Sequence, residues 1–192
     1  ILNDEEARQY IDGSAFHLYG GNINDLNNLH IAHPDKNLYF TEQWISAQGN
    51  FSEDLKWHAR NLLIGASRNW CKTIIEWNLA ADENQRPHTP GGCSNCLGAI
   101  TISNDDYSKN TGFYLIGHIA KHVRPGSKRV YSSTSSKLPN VSFLRKDNKL
   151  VIIVLNDSSS KTYFNIKHES SYMNSELSPG ALGTYVWDYE LK

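Results

Sequence analysis

The fold is decided by an alternation of strand and helix patterns in residues 37–77, NLYFTEQWISAQGNFSEDLKWHARNLLIGASRNWCKTIIEW. It opens with a strand-like apolar run over 37–42, and a second such run, CKTIIEWNLA, begins at its end and covers 71–80. Between them, Ser52 has the character of a helix N-cap and is followed by acidic residues. Apolar residues then recur at helical spacing, at Leu55, Ala59, Leu62, Leu63 and Ala66. A strand, a helix and a strand in this order predict a βαβ unit and a parallel sheet.

The same alternation extends to both sides of this stretch. The further elements that the pattern predicts are, in chain order, a helix over 4–10, a strand over 11–21, a helix over 24–30, a strand over 98–102 and a helix over 110–123. Pro34 ends the second of these helices, and Pro125 with Gly126 ends the last. We therefore predict that residues 1–125 form a domain of strand and helix units.

Short strand candidates separated by Ser-, Asn- and Asp-rich turns fill the rest of the chain. They cover 128–134, 140–146, 149–156, 161–167 and 181–189. Asp147 and Asn148 between two of them favour a hairpin turn. This pattern predicts a small antiparallel β-sandwich over 126–192, so the expected fold class is α/β followed by all-β.

The composition of the chain limits the classes of binding partner that are expected. The net charge of the 192-residue chain is -1, which leaves no basic footprint for nucleic acid or an anionic membrane and favours a neutral partner. No apolar run approaches the roughly 18 residues that a membrane span requires. The first residues carry no secretion signal, but Ile1 in place of an initiator methionine suggests a processed or cut chain. Asn-X-Ser sequons at Asn50, Asn140 and Asn156 are about as frequent as chance predicts.

Chemically distinctive side chains gather where the three predicted parallel strands end. They are His17, Tyr19, Glu42, Glu76, Trp77 and Asn78. Because the carboxyl ends of parallel strands open into loops at one edge, these residues are expected to meet. A single strand-end Glu is usually a surface residue, and Trp or His there is usually packing. Aromatic faces beside carboxylates and an amide, in contrast, suit a sugar, so the joint occurrence predicts a carbohydrate site.

Five ordered blocks and the closing SPGALGTYVW (178–187) together resemble the C-terminal half of glycoside hydrolase family 30. The blocks are AFHLYGG (15–21), LYFTEQW (38–44), IIEWNLA (74–80), PHTPGGCSNCLGAITI (87–102) and FYLIGHIAKHVRPGSKRV (113–130). That family contains glucosylceramidases and microbial β-1,6-glucanases, and the GGCSNC loop is closer to the glucanase branch. The resemblance implies the last three βα units of a TIM (β/α)8 barrel followed by a β-sandwich.

The resemblance also assigns roles at the strand ends. Glu42 matches the catalytic nucleophile, Tyr19 the tyrosine that hydrogen-bonds it, and His17 a pocket histidine on the same strand. Trp77 matches the tryptophan of the sugar-binding subsite, with Asn78 beside it. Trp44 is assigned to the same sugar-binding surface.

The second carboxyl group of a retaining glycosidase has no counterpart here. The family acid/base lies in an Asn-Glu pair on an earlier barrel strand, and an eight-stranded barrel typically needs about 250 residues. Glu83 lies in a loop, and Glu76 should point towards the surrounding helices if Trp77 faces the pocket. We therefore expect the acid/base in an N-terminal half of the barrel, either in the same protein or in a separate chain.

The cysteine pair Cys93 and Cys96 admits two interpretations. Their spacing is that of a zinc ribbon, but a second pair of ligands is absent, and His118 and His122 are expected at a packed helix face. A disulfide that rims the site is preferred for an exported protein, and no metal or cofactor is expected.

The sequence thus predicts part of a secreted or periplasmic retaining β-glycosidase that acts on β-linked glucosides, with β-1,6-glucan favoured over glucosylceramide. The alternative is a noncatalytic carbohydrate-binding or structural fragment that packs against a partner chain.

Overall fold

The computed structural model describes residues 1–189, and a parallel three-stranded sheet forms the centre of its first half. The strands are β1 (Gly13–His17), β2 (Asn37–Glu42) and β3 (Cys71–Ile74), with β2 in the middle. The helical elements around them are α1 (Glu5–Arg8), a 3-10 turn (Ile23–Asp25), α2 (Leu26–Ala32), α3 (Phe51–His58) and a π-helical continuation of α3 (Ala59–Ala66). The predicted βαβ unit, from β2 through α3 to β3, is confirmed.

The start of α3 differs from the prediction. Asn50, not Ser52, is the N-cap, because its side-chain oxygen accepts hydrogen bonds from the backbone N–H groups of Ser52 and Glu53 at 3.0 and 3.1 Å. Asn50 has an extended backbone, as an N-cap residue requires, and the helix begins at Phe51.

The sheet and its helices enclose the first hydrophobic core. Its buried members are Ile23, Leu26, Leu38, Phe40, Leu62 and Ala66. Leu38 and Phe40 point the same way from β2 because side chains alternate along a strand. Of the apolar residues predicted at helical spacing, Leu62 and Ala66 face this core, whereas Ala59 and Leu63 face a second core.

A small mixed sheet and a helix follow β3. They comprise β4 (Ala80–Asp82), β5 (Ile100–Ser103), β6 (Asp106–Lys109) and α4 (Thr111–Ala120), with β4 parallel and β6 antiparallel to β5. The strand predicted over 71–80 is shorter than expected, because β3 ends at Ile74. Beyond it, Trp77 forms an isolated bridge with Trp44.

The second half is antiparallel. A four-stranded sheet contains β7 (Lys128–Val130), β8 (Asn140–Leu144), β9 (Lys149–Leu155) and β12 (Leu182–Asp188), in the order β12-β9-β8-β7. A hairpin is formed by β10 (Thr162–His168) and β11 (Ser171–Leu177). β11 was not predicted, because its mainly polar residues give no apolar alternation. The predicted fold class, α/β followed by antiparallel β, is confirmed.

The predicted boundary near residue 125 lies in the connection between α4 and β7, and residues 190–192 of the predicted second domain lie outside the described residues. The two halves share a second hydrophobic core. It joins the π-helical segment and α4 to the antiparallel sheet through Ala59, Leu63, Ile64, Leu115, Val141, Phe143, Val151, Ile153 and Leu155. An ion pair between Arg60 and Asp157 adds a polar link. Among residues 1–189, no helix has both the length and the apolar character to cross a bilayer.

Candidate active site

The direction of the Glu42 side chain depends on a register irregularity at the end of β2. Phe16 of β1 is paired with Phe40, but the next residue, His17, is paired with Glu42, so Thr41 is an extra residue on β2. With regular alternation, Glu42 would point the same way as Phe40, into the core. A bulge changes the direction of the following side chain. Glu42 therefore faces the open end of the sheet, where its side chain is 30% exposed.

Glu42 lines a cleft of about 730 Å³ at this end of the sheet. Tyr19, Trp44 and Trp77 line the cleft together with Glu42, and residues of the loop 87–96 complete its rim. This volume lies within the roughly 300 to 1,000 Å³ that is typical of small-molecule sites. The structure thus brings together Glu42, Tyr19 and both predicted tryptophans.

The Tyr19 hydroxyl donates a hydrogen bond to Glu42 Oε1 at 2.8 Å. Burial, followed by this bond and the negative charge of Glu42, raises the pKa of Tyr19 to about 12. The hydroxyl therefore stays protonated, and remains a donor, over the whole range in which proteins are normally assayed. A carboxylate that accepts such a bond is held in one orientation.

His17 lies on the other side of the same carboxylate. Its Nδ1 is 3.7 Å from Glu42 Oε1, which is beyond hydrogen-bond distance but within the range of an ion pair. Its ring packs edge-on against Tyr19, with the ring centroids 5.6 Å apart. His17 thus supports Tyr19 and Glu42 from beside the cleft and is not among the side chains that line it.

The buried side chain of Gln43 connects the three strand ends, and sequence reasoning missed it. Its Nε2 donates to the carbonyl of Leu18 at 3.0 Å, and its Oε1 accepts from the backbone N–H of Trp44 at 3.0 Å. Its backbone carbonyl accepts from the N–H of Trp77 at 2.7 Å. One residue therefore fixes the relative positions of the loops that carry Tyr19, Trp44 and Trp77. The only sequence signal was a polar residue directly after a strand-end Glu.

Glu76 and Asn78 do not reach this cleft. Glu76 is buried and its Oε1 lies 2.8 Å from Nδ1 of His58, at the end of α3. Both residues line another cavity of about 480 Å³ beside α4, and the second oxygen of Glu76 and Oδ1 of Asn78 are buried with no hydrogen-bond partner among residues 1–189. Trp77 lines both this cavity and the Glu42 cleft, so its side chain lies between the two. The structure thus does not place Asn78 where it would contact a sugar beside Glu42.

The loop after β4 completes the rim of the cleft that contains Glu42. Cys93 and Cys96 are joined by a disulfide in the structure, and both line the cleft. The loop is attached to the segment after β2, because Asn95 Nδ2 donates to Ser46 Oγ at 3.0 Å and Ala47 N–H donates to the carbonyl of Asn95 at 2.9 Å. The rim and the strand end that carries Glu42 are therefore parts of one framework.

The two histidines considered as metal ligands lie elsewhere. His118 Nδ1 lies 2.8 Å from Thr184 Oγ1, between α4 and β12. Burial, and then the nearby His122, lower the pKa of His118. Within residues 1–189, no group of three or more His, Cys, Asp or Glu side chains is arranged to hold a metal ion.

Comparison with known sequences gives matches along nearly the whole chain. The Glycosyl hydrolase family 30 TIM-barrel domain matches residues 1–123, and the Glycosyl hydrolase family 30 beta sandwich domain matches residues 126–185. The chain is 28% identical over 189 residues to endo-1,6-beta-D-glucanase neg1 of Aspergillus fumigatus, covering 93% of this chain and 37% of that protein. It is 28% identical over 205 residues to the lysosomal acid glucosylceramidase of Mus musculus, covering 97% and 39%.

Solved structures agree with these matches. The chain is similar to the endo-beta1,6-glucanase BT3312, with a TM-score of 0.91 at 29% identity over 98% of this chain and 44% of that one. It is also similar to SrfJ from Salmonella typhimurium, with a TM-score of 0.90 at 27% identity over 98% and 43%. The chain spans less than half the length of each of these relatives. Its parallel sheet is thus a portion of a TIM barrel, followed by a β-sandwich domain.

Proposed function

The chain belongs to glycoside hydrolase family 30, and from this we propose that it supplies the nucleophile side of a retaining β-glycosidase. The observation that carries the proposal is the Tyr19–Glu42 hydrogen bond at the wall of a cleft lined by Trp44 and Trp77. An ionised carboxylate held by a hydroxyl donor, beside two indole faces, is suited to attack a sugar that stacks on those faces.

In the proposed first step, a carboxylate oxygen of Glu42 forms a bond to the anomeric carbon as the glycosidic C–O bond breaks. A second carboxyl group gives its proton to the departing oxygen. In the second step, that group takes a proton from water, the water oxygen bonds to the anomeric carbon, and Glu42 is released as carboxylate. The two carboxyl groups of such enzymes lie about 5 to 5.5 Å apart.

We propose that the second carboxyl group comes from barrel strands outside this sequence, in the same protein or in a partner chain. The greater length of the relatives supports this. Glu76 is a poor candidate for that role, since it is buried against His58 away from the cleft.

The proposed substrate is a β-linked glucoside, and β-1,6-glucan is favoured over glucosylceramide. Three of the similar proteins carry the name endo-1,6-beta-D-glucanase, and a similar solved structure is an endo-beta1,6-glucanase. Glucosylceramidases are also among the relatives. We propose export from the cytoplasm, because the Cys93–Cys96 disulfide requires an oxidising compartment.

The proposal is tested by assaying the complete protein on β-1,6-glucan, glucosylceramide and an aryl β-glucoside, with the product followed by proton NMR. We expect hydrolysis of β-1,6-glucan and the β-anomer as the first product, since two displacements retain configuration. Initial release of the α-anomer would contradict the double displacement. Binding of glucan without turnover would indicate a noncatalytic carbohydrate-binding protein instead.

Replacing Tyr19 with Phe is expected to lower kcat on the aryl β-glucoside by about 10- to 100-fold. The substitution removes one hydrogen bond to a charged group, worth roughly 1.5 to 3 kcal/mol, and leaves the ring in place. Steady-state kinetics would measure the effect. Tyr10→Phe is the matched control, because Tyr10 is 81% exposed and outside the cleft. An unchanged kcat for Tyr19→Phe would show that the bond does not assist the reaction.

A further inference from the structure

The loop between β4 and β5 presents one imidazole, that of His88, to the cleft that contains Glu42. His88 and Thr89 line the rim together with the disulfide. The exposed position of His88 places it at the mouth and not at the bottom of the cleft. No role was assigned to this residue from the sequence.

Several contacts hold this loop in one shape. At its start, Asp82 Oδ1 accepts hydrogen bonds from the backbone N–H groups of Asn84 and Arg86, both at 2.8 Å. At its end, the N–H of Leu97 donates to the carbonyl of Ile45 at 2.8 Å. The disulfide and the Asn95 contacts described above lie between these anchors. The rim is therefore a preformed surface that needs little ordering when a ligand binds.

The turn within the loop also fixes the His88 ring. The carbonyl oxygen of Thr89 accepts from the N–H of Gly92 at 2.8 Å, and it lies 3.0 Å from His88 Nδ1. Gly91 between them has a φ of +79°, which favours glycine, so the turn depends on this residue. Because a carbonyl can only accept, Nδ1 carries the hydrogen. In the neutral ring, Nε2 is then a hydrogen-bond acceptor.

The hydrogen-bonding groups that line the cleft indicate what Nε2 of His88 could bind. The polar groups of Tyr19 and Glu42 are bonded to each other at the inner wall. Among the described residues that line the cleft, Glu42 Oε2 at the inner wall and the side-chain acceptors of His88 and Thr89 on the loop have no hydrogen-bond partner. A sugar hydroxyl at the mouth of the cleft needs such an acceptor if it is not to lose a hydrogen bond on binding.

We propose that His88 Nε2 accepts a hydrogen bond from a hydroxyl of a glucosyl unit next to the one that Glu42 attacks, and thereby sets the preference for an oligosaccharide chain. This inference rests on the proposed function and adds a specificity residue to it. An aryl β-glucoside has no second sugar, so His88 contributes nothing to its binding. A β-1,6-linked glucose tetramer fills both positions.

The test compares the tetramer with the aryl β-glucoside in the complete protein. We expect His88→Ala to raise KM for the tetramer by about 3- to 10-fold, the value of one neutral hydrogen bond, with kcat within twofold. KM for the aryl glucoside should not change. His88→Gln, which keeps a side-chain acceptor, should restore most of the tetramer affinity. His122→Ala is the control, because His122 lies just beyond the C-terminal end of α4 and does not line the cleft.

An unchanged KM for the tetramer, or an equal rise for both substrates, would overturn the role of His88 and leave the proposed function in place. Absence of turnover of either substrate by the unsubstituted protein would overturn the proposed function. The Kd of the tetramer, measured by calorimetry, then decides the inference, since equal values for the protein and His88→Ala would exclude the contact.

Discussion

Replacing Glu42 with Gln in the complete protein is expected to lower kcat on an aryl β-glucoside by roughly 10⁴-fold or more, the scale seen when a nucleophile is removed. The amide has the shape of the carboxylate and can still accept the Tyr19 hydrogen bond, but it does not form an ester with the anomeric carbon. The melting temperature should change little, because the side chain is partly exposed at the cleft. Steady-state kinetics and a thermal melt would measure both effects.

Two further variants separate the nucleophile from other carboxylates. Glu53→Gln is the control, since Glu53 is 69% exposed and paired with Lys56 on α3. Glu42→Ala with added azide should regain turnover and release α-glucosyl azide, because azide attacks from the face that the carboxylate occupied. Formation of the β-azide would indicate that Glu42 is the acid/base. Undiminished hydrolysis by Glu42→Gln would remove it from the chemistry.

The sequence predicted the parallel sheet and the meeting of Glu42 with Tyr19 because both follow from local rules. Apolar periodicity identified β2, α3 and β3, and parallel strands bring their carboxyl ends to one edge. The direction of Glu42 did not follow from these rules. Simple alternation turns it towards the core, and the extra residue Thr41 that redirects it is visible only as a pairing with β1.

Other features depended on tertiary contacts in the same way. Asn78 was expected beside Trp77 at the sugar site, but Trp77 lines the Glu42 cleft and Asn78 does not, although both line the cavity beside α4. Gln43 connects three loops through contacts far apart in sequence, and His88 approaches the cleft through a loop fixed at both ends. Periodicity within one segment carries no information on such contacts.

The second half supports the cleft indirectly. Glu76, next to Trp77, is paired with His58 at the end of α3. The π-helical segment that continues α3 packs Ala59, Leu63 and Ile64 into the core shared with β8 and β9. The antiparallel sheet therefore packs against the helix whose residue His58 contacts Glu76, next to Trp77. A loss of packing in the sheet would therefore be expected to displace this helix and, through it, the position of Trp77 in the cleft.

Asn156 is the polar centre of that antiparallel half. Its side chain is 0% exposed, although it begins an Asn-X-Ser sequon. Nδ2 contacts the carbonyl oxygens of Ser160, Leu177 and Ser178 at 2.8, 2.9 and 3.1 Å. Its Oδ1 accepts from the backbone N–H of Ser158 at 3.1 Å, and its backbone carbonyl accepts from the N–H of Gly180 at 2.9 Å. One amide thus joins the end of β9 to the β10–β11 hairpin and to the turn before β12.

Asn156→Asp is expected to destabilise the fold by about 3 to 5 kcal/mol, because it directs a buried, unpaired carboxylate at three carbonyl oxygens. For a chain of this size that lowers Tm by roughly 6 to 20 °C.

The new carboxyl of Asn156→Asp should have its folded-state pKa raised, since burial and the carbonyls disfavour its charge. The folded variant then binds the proton more tightly than the unfolded variant does. Its loss of unfolding free energy, relative to the unsubstituted protein, should therefore grow as pH rises above about 3.9 and shrink below it. Thermal melts from pH 4 to 7 would measure this, with the exposed Asn174→Asp on β11 as control, expected within about 0.5 kcal/mol. Equal melts for the two variants would show that the Asn156 hydrogen bonds do not hold the strand ends together.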